Sequence, residues 1–400
     1  MVTPSNRCPR FPLPVTLAFC LIATLCTTAA SSQTSESGVE ASLSNSSSPV
    51  AFVYLSNEIG SSSTYEVTGF AAAANGKLSA IPGSPFSANL QNTAVNGKYL
   101  FGVTPNSVYI DSYKIEPDGA LSFDKATNLA KYNACGESIG LGFDHSGSTL
   151  YNLELEGDCA NNLYESFSVN ESTGALNHVQ NFDGSPGFQQ NLVFSGNNVY
   201  GYGVSCYHDD FGFFGFKRNS NGSLTALNIN PALPAAKAND AYCPLVVAAD
   251  PANHLAFGFQ AYTDLPYGPT VGAPQLGTYT IGSSGNITTT STYKNMPAVS
   301  TGTIIDINMS PSGKLLAVGG SKGLQVFHFN GASPLTHFTG LLTSEDIEQV
   351  GWDNSNHLYA LSVTHGKLFV FTVTPSSVSQ APGSPYTVHR PWGFIIQPKP

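Results

Sequence analysis

Arginine is almost missing from this 400-residue chain: Arg7 and Arg10 stand near its N-terminus, and beyond them only Arg218 and Arg390 remain. Charge of either sign is thin, at 10% of residues, and past residue 30 it leans acidic, with 14 Lys and Arg against 26 Asp and Glu. An acidic chain without a basic stripe repels phosphate backbones and anionic headgroups, which argues against nucleic acid and membrane-surface partners. After residue 30 no apolar run approaches the ~20 residues of a membrane span, and no stretch of 3.6-residue periodicity signals a long helix. No Cys-x-x-Cys pair occurs, so the common zinc and thioredoxin-like signatures are lacking.

What is there is a repeat. A turn of the form x-Gly-x-Leu-Ser recurs as NGKLS (75–79), DGALS (118–122), TGALN (173–177), NGSLT (221–225) and SGNIT (284–288), then more loosely as ASPLT and SSVSQ, ending at Thr336 and Gln380. Leu78 to Val378 spans 300 residues in six intervals, a mean period of 50. Each copy follows a strand of alternating aromatic and β-branched residues. A period near 50 built from short strands is the size of a four-stranded propeller blade. The sequence therefore predicts an all-β, seven-bladed β-propeller of four-stranded antiparallel blades, filling residues 50–400 as one domain.

Before each aromatic strand lie two apolar strands joined by a hairpin, as in residues 141–154, 246–259, 307–320 and 350–362. Asp144, Asp250 and Asp353 recur in these hairpins as turn formers. The ring opens mid-pattern: residues 50–57 (VAFVYLSN) read as a second strand lacking its first, and residues 393–398 (GFIIQP) as a first strand lacking its second. The C-terminal strand is expected to complete the N-terminal blade and so remove two open edges.

Residues 1–30 combine Arg7 and Arg10, an apolar run from Leu13 to Cys26 and small residues up to Ser32, the pattern of a secretory signal cleaved after Ala30. Residues 31–49 are Ser-rich and without aromatics, a disordered linker. The chain is expected outside the cytoplasm, secreted or periplasmic, and monomeric. Cys135, Cys159, Cys206 and Cys243 then remain, an even number suited to two disulfides. Of the three pairings, the sequence-local one joins Cys135 to Cys159 and Cys206 to Cys243, on loops of one face.

Residues 81–86 (IPGSPF), 183–188 (DGSPGF) and 381–386 (APGSPY) fall in or near fourth strands. With the x-Gly-x-Leu-Ser turns and the Pro-Ser-Gly-Lys hairpin at 311–314, they resemble the seven-bladed propeller lactonase family, which is similar to the 6-phosphogluconolactonase and carboxy-muconate cyclase propellers. The resemblance spans residues 50–400 and implies a lactone-opening hydrolase. Family members often carry Pro-His before the strand entering each blade. Here that slot reads Asn92, Ile139, Gln190, Leu245, Ile305, Glu348 and Trp392; only Pro244 and Pro391 keep the proline and no histidine occupies it. The family's catalytic assignment is therefore not carried over. Scarce arginine argues against a phosphorylated lactone, because bidentate phosphate binding prefers the guanidinium.

Lactone opening needs a base to activate water and a donor or cation for the oxyanion. On the blade-joining loops the candidates are Glu137, Asp240, Glu348 and His389, with Arg390 as charge stabiliser. Asp306, flanked by isoleucines in an innermost strand, reads equally as a hydrogen-bonded structural residue or as a channel-lining one. The run His208, Asp209, Asp210 has metal-ligand chemistry, but three adjacent residues of an extended loop rarely converge, so no metal or other cofactor is expected. Two functions remain open: an exported hydrolase of an unphosphorylated lactone, or a non-catalytic propeller binding a glycan or protein partner.

Overall fold

The computed structural model describes residues 48–399 apart from 61–63, 106–108, 130–137, 155–161, 184–191, 208–209, 230 and 264–267. Every regular element within them is a β-strand. The strands form seven antiparallel sheets, six of four strands and one with a fifth, Tyr386–Thr387, added beside Lys367–Thr374. From blade one to blade seven the innermost strands are Pro391–Pro398, Thr93–Val95, Ser138–Phe143, Val193–Phe194, Ala241–Ala249, Ile304–Met309 and Gln349–Trp352. They pack side by side round an axis: blade seven touches blade one, and blade one touches blade two. This is the expected seven-bladed propeller.

Burial explains the strand composition. The second strands, such as Leu315–Gly320 and His357–Ser362, are buried along their whole length between neighbouring sheets, so they are continuous apolar runs with little alternation. The outermost strand of blade two, Leu121–Asn128, has no fully buried residue. The ring closes as expected: Pro391–Pro398 pairs antiparallel with Ala51–Ile59, from Ala51 opposite Pro398 to Asn57 opposite Pro391.

The repeated turn has a second task besides ending the third strand. In five of its copies the glycine has positive φ: +78° at Gly76, +91° at Gly119, +59° at Gly174, +88° at Gly222 and +84° at Gly285. Each lies on the second strand of the preceding blade. A Cβ at Gly119 would stand 2.6 Å from Phe52, one at Gly174 2.8 Å from Tyr99, and one at Gly222 2.6 Å from Thr149. Tyrosines of the same second strands donate to these turns, from Tyr54 to Gly119 O, Tyr151 to Gly222 O and Tyr202 to Gly285 O, each at 2.8 Å. The repeat is thus the docking point between successive blades. Gly119→Ala is expected to destabilise the fold by roughly 2–4 kcal/mol, combining left-handed backbone strain with overpacking against Phe52. A lower denaturation midpoint at unchanged slope checks this.

The Gly-Ser-Pro motifs have an equally local cause. Ser84 Oγ accepts the Gly69 N–H at 2.9 Å and Ser384 Oγ the Val370 N–H at 2.8 Å, so the hydroxyl continues the ladder where the fourth strand has turned away. Ser291 and Thr339 do the same for Thr278 and Val326. The hairpin aspartates act as turn formers. Asp353, fully buried, accepts from the backbone of Ser355 and His357 and from the Tyr359 hydroxyl, and bonds the His357 ring at 2.7 Å.

Cys206 and Cys243 form a disulfide with Cα atoms 5.6 Å apart. Both lie within strands, Tyr200–Tyr207 and Ala241–Ala249, not on loops as expected, because each strand runs on to the rim before turning. The bridge ties the end of blade four's second strand to the start of blade five's innermost strand. Cys135 and Cys159 lie outside the described residues. Among the described residues no helix is long and apolar enough to cross a membrane.

Candidate functional site

The innermost strands begin at one end of the ring, the end where second strands turn into third strands. In four blades the ladder slips by one residue there: the register passes over Ile139, Leu245, Ile305 and Trp392. These are four of the positions that stand in the family's Pro-His slot. A β-bulge leaves its extra residue unpaired and re-aims it. Ile305 and Trp392 are accordingly 40% and 48% exposed although they belong to innermost strands. Two further slot residues, Asn92 and Glu348, come immediately before their strands.

Asn92, Glu348 and Trp392 line one cavity of about 220 Å³ with Gln349 and Phe394. It spans the innermost strands of blades seven, one, two and three, which makes it the channel mouth. Its walls are held by hydrogen bonds from blade to blade. The Gln349 amide donates to Phe394 O and accepts the Phe394 N–H, both at 2.8 Å. Trp392 Nε1 donates to Asn92 Oδ1 at 3.1 Å, and Asn92 Nδ2 to Ser138 O at 2.9 Å. Tyr65 meets the Trp392 ring edge-on at 6.0 Å. The indole is therefore oriented yet partly open.

Among the described residues Glu348 is the acid of this cavity. Its carboxylate accepts the Val363 N–H at 2.9 Å and the Thr364 hydroxyl at 3.0 Å. Burial, reinforced by the negative charge of Asp346, outweighs those bonds and raises its pKa above the ordinary carboxylate range. Such a shift moves a carboxylate towards the pKa of a general base working near neutrality.

Asp240, His389 and Arg390 lie elsewhere. Asp240 lines a separate cavity of about 210 Å³ at blade five, with Tyr242, Gln275 and Tyr293. His389 and Arg390 are exposed. The Arg390 guanidinium bonds Glu58 at 2.6 Å and the Gly60 carbonyl, across the seam between first and last strands. Arg218 pairs with buried Asp144 and donates to Thr149, between blades four and three. Arg218 and Arg390 are thus engaged in seams, and among the described residues no Lys or Arg lines the channel-mouth cavity. Glu137, Gln190, His208 and Asp209 lie outside the described residues, and Asp210 opens the strand Asp210–Arg218.

Asp306 is neither fully buried nor exposed, and its carboxylate accepts the Val350 N–H at 2.8 Å, joining blades six and seven. Burial pushes its pKa up to about 7, against hydrogen bonds from Val350 and Ile307. Between the ordinary aspartate pKa and 7 the folded protein holds a proton that the unfolded chain has released, so this group's contribution makes stability fall as pH rises through that window. Asp306→Asn keeps an acceptor and cannot ionise. It is expected to gain on the order of 2 kcal/mol at pH 8, a figure discounted because the side chain is only partly buried, and little at pH 3; melting temperatures across that range check it.

One cluster escaped the sequence reading. Glu345 and Asp346, entering blade seven, and His365, in the hairpin after its second strand, bring ligand atoms within 4.8 Å of one another. Three such groups could hold a cation, but Lys367 already pairs with Glu345, and His365 Nδ1 bonds Asp346 at 2.7 Å. The signal was positional: both segments end at the channel-mouth face of one blade.

The chain matches no protein-family model and no curated protein. Solved structures share its architecture. A protein from Lactobacillus plantarum has a TM-score of 0.62 at 13% identity, over 87% of this chain and 99% of the other. A provisionally assigned 6-phosphogluconolactonase of Bacteroides fragilis gives 0.59 at 13%, over 88% and 99%. The periplasmic gluconolactonase of Pseudomonas aeruginosa gives 0.55 at 14%, over 86% and 98%. The fold is that of the 6-phosphogluconolactonase-like propellers.

Proposed function

We propose that the channel-mouth cavity hydrolyses an unphosphorylated lactone or related ring ester outside the cytoplasm, with Glu348 as the base that activates water. The observation that carries this reading is a carboxylate with raised pKa in the same cavity as an oriented, half-open indole. A flat, weakly polar ring such as a lactone stacks on an aromatic face, and the Asn92 and Gln349 amides supply neutral polar contacts. A lining with no Lys or Arg among the described residues is poorly matched to phosphate. The leader-like residues 1–30 and the Cys206–Cys243 bridge support export, and a periplasmic gluconolactonase shares the fold.

The alternative is a non-catalytic propeller that binds a glycan or protein. It is favoured by the same half-exposed Trp392, since aromatic platforms serve binding as well as catalysis. Hydrolysis assays on phosphorylated and unphosphorylated lactones separate the two. We expect turnover of the unphosphorylated set, and Trp392→Ala raising KM by about tenfold with little change in kcat, as loss of ground-state stacking does. No turnover, together with a glycan-induced rise in melting temperature that Trp392→Ala abolishes, would favour the binding reading.

A further inference from the structure

Glu348 stands between two exposed apolar side chains. Ile304 pairs with Gly320 in the ladder of blade six, and the Ile347 N–H donates to Gly320 O at 3.0 Å. Asp306 accepts the Val350 N–H at 2.8 Å. These two contacts bracket Ile305 and Glu348, which are therefore neighbours across the junction of blades six and seven. On its other side Glu348 shares the cavity with Trp392 of blade one. Ile305 and Trp392 are the extra residues of their bulges. An innermost strand is covered by its own second strand and by both neighbouring blades, so a side chain exposed there opens on the channel. Leu341, also exposed, carries the apolar surface outward: a Cβ at Gly323 would lie 3.1 Å from its Cδ2, and Gly323 pairs with Gly320. From Ile304 to Gly323 is two strand spacings, about 10 Å.

We infer that the substrate of this cavity is a lactone bearing an aliphatic substituent of several carbons, and that Ile305 is the residue that selects it. The inference rests on the hydrolase reading of Glu348 and names the substrate class of that site. With the ring against Trp392 and its carbonyl at Glu348, a substituent pointing away from the indole crosses Ile305 towards Leu341. Covering an otherwise wetted isoleucine with hydrocarbon is favourable in proportion to the apolar area removed from water. A polyhydroxylated ring fits less well on two counts. Its hydroxyls would lose water over Ile305 and gain no partner there. Asn92 and Gln349 also have half of their amide hydrogen-bonding capacity committed to the walls: Gln349 donates to and accepts from Phe394, while Asn92 accepts from Trp392 and donates to Ser138 O. Three apolar side chains set around a carboxylate suit one hydrocarbon chain, whereas a protein partner calls for a broad contiguous patch.

A chain-length series on the whole chain tests this. The substrates are γ-lactones carrying methyl, propyl and pentyl groups, with glucono-δ-lactone as the polyhydroxylated comparison, and the proteins are the wild type, Ile305→Ser and Ile305→Thr. Full burial of one methylene is worth roughly fourfold, so a half-open wall should raise kcat/KM about twofold per methylene, roughly 16-fold from methyl to pentyl. Ile305→Ser is expected to cut that ratio to about fourfold or less, with Ile305→Thr, which keeps the β-branch suited to a strand, in between. The ratio cancels any loss common to all substrates, so partial unfolding does not imitate the result. A wild-type ratio near one, a ratio that neither substitution lowers, or faster turnover of glucono-δ-lactone than of the pentyl lactone overturns the inference. If no lactone is turned over, the hydrolase reading falls, and the same series is ranked by its effect on Trp392 emission, read against Trp392→Phe. Binding that tightens with chain length then sustains the apolar site; binding that is absent or indifferent to chain length overturns it.

Discussion

A chain ending at Arg390 is expected not to fold: no cooperative thermal transition, and exposed apolar surface throughout the ring. The ten residues removed include the whole innermost strand of blade one, whose partner strand Ala51–Ile59 would lose its ladder from Ala51 to Asn57. Phe394 and Ile396 are buried in the cluster between blades seven and one, and each such side chain contributes roughly 1.5–3 kcal/mol. The Gln349–Phe394 and Trp392–Asn92 bonds would go with them. Opening the ring also leaves two strand edges unpaired. Together these losses are comparable with the 5–15 kcal/mol that holds a typical domain together. Circular dichroism during heating and dye binding check this; a cooperative melt within a few degrees of the full chain's would refute the closure as a determinant of stability.

Most of the fold was legible in the sequence because it is written in local signals. The x-Gly-x-Leu-Ser turn marks one blade per copy, and the unpaired halves at residues 50–57 and 393–398 announce the closure. What the turn does between blades was not legible, since Phe52 lies 67 residues from Gly119 and only packing brings them together. The site is harder for the same reason. Asn92 and Trp392 are 300 residues apart and share a hydrogen bond. Trp392 was visible as a slot residue, but its role as an open aromatic wall depends on a bulge opposite Ser56 and Asn57. Glu348 was found because acidic residues on blade-joining loops are few. Asp346 and His365 were not, because their meeting depends on a hairpin register that composition does not reveal.

Glu348→Gln is expected to lower kcat for lactone hydrolysis by about 10²–10⁴-fold, the range for loss of a positioned general base. The substitution keeps the side chain's shape. Its amide oxygen can still accept the Val363 N–H, and its amide nitrogen can donate to the Thr364 hydroxyl, so blade seven should stay intact. An unchanged melting temperature makes a lost rate attributable to chemistry and not to unfolding. Steady-state hydrolysis of an unphosphorylated lactone by the wild type and Glu348→Gln, side by side at neutral pH, tests the account most directly. It predicts clear wild-type turnover and at least a hundredfold lower kcat in the variant; equal rates would contradict it.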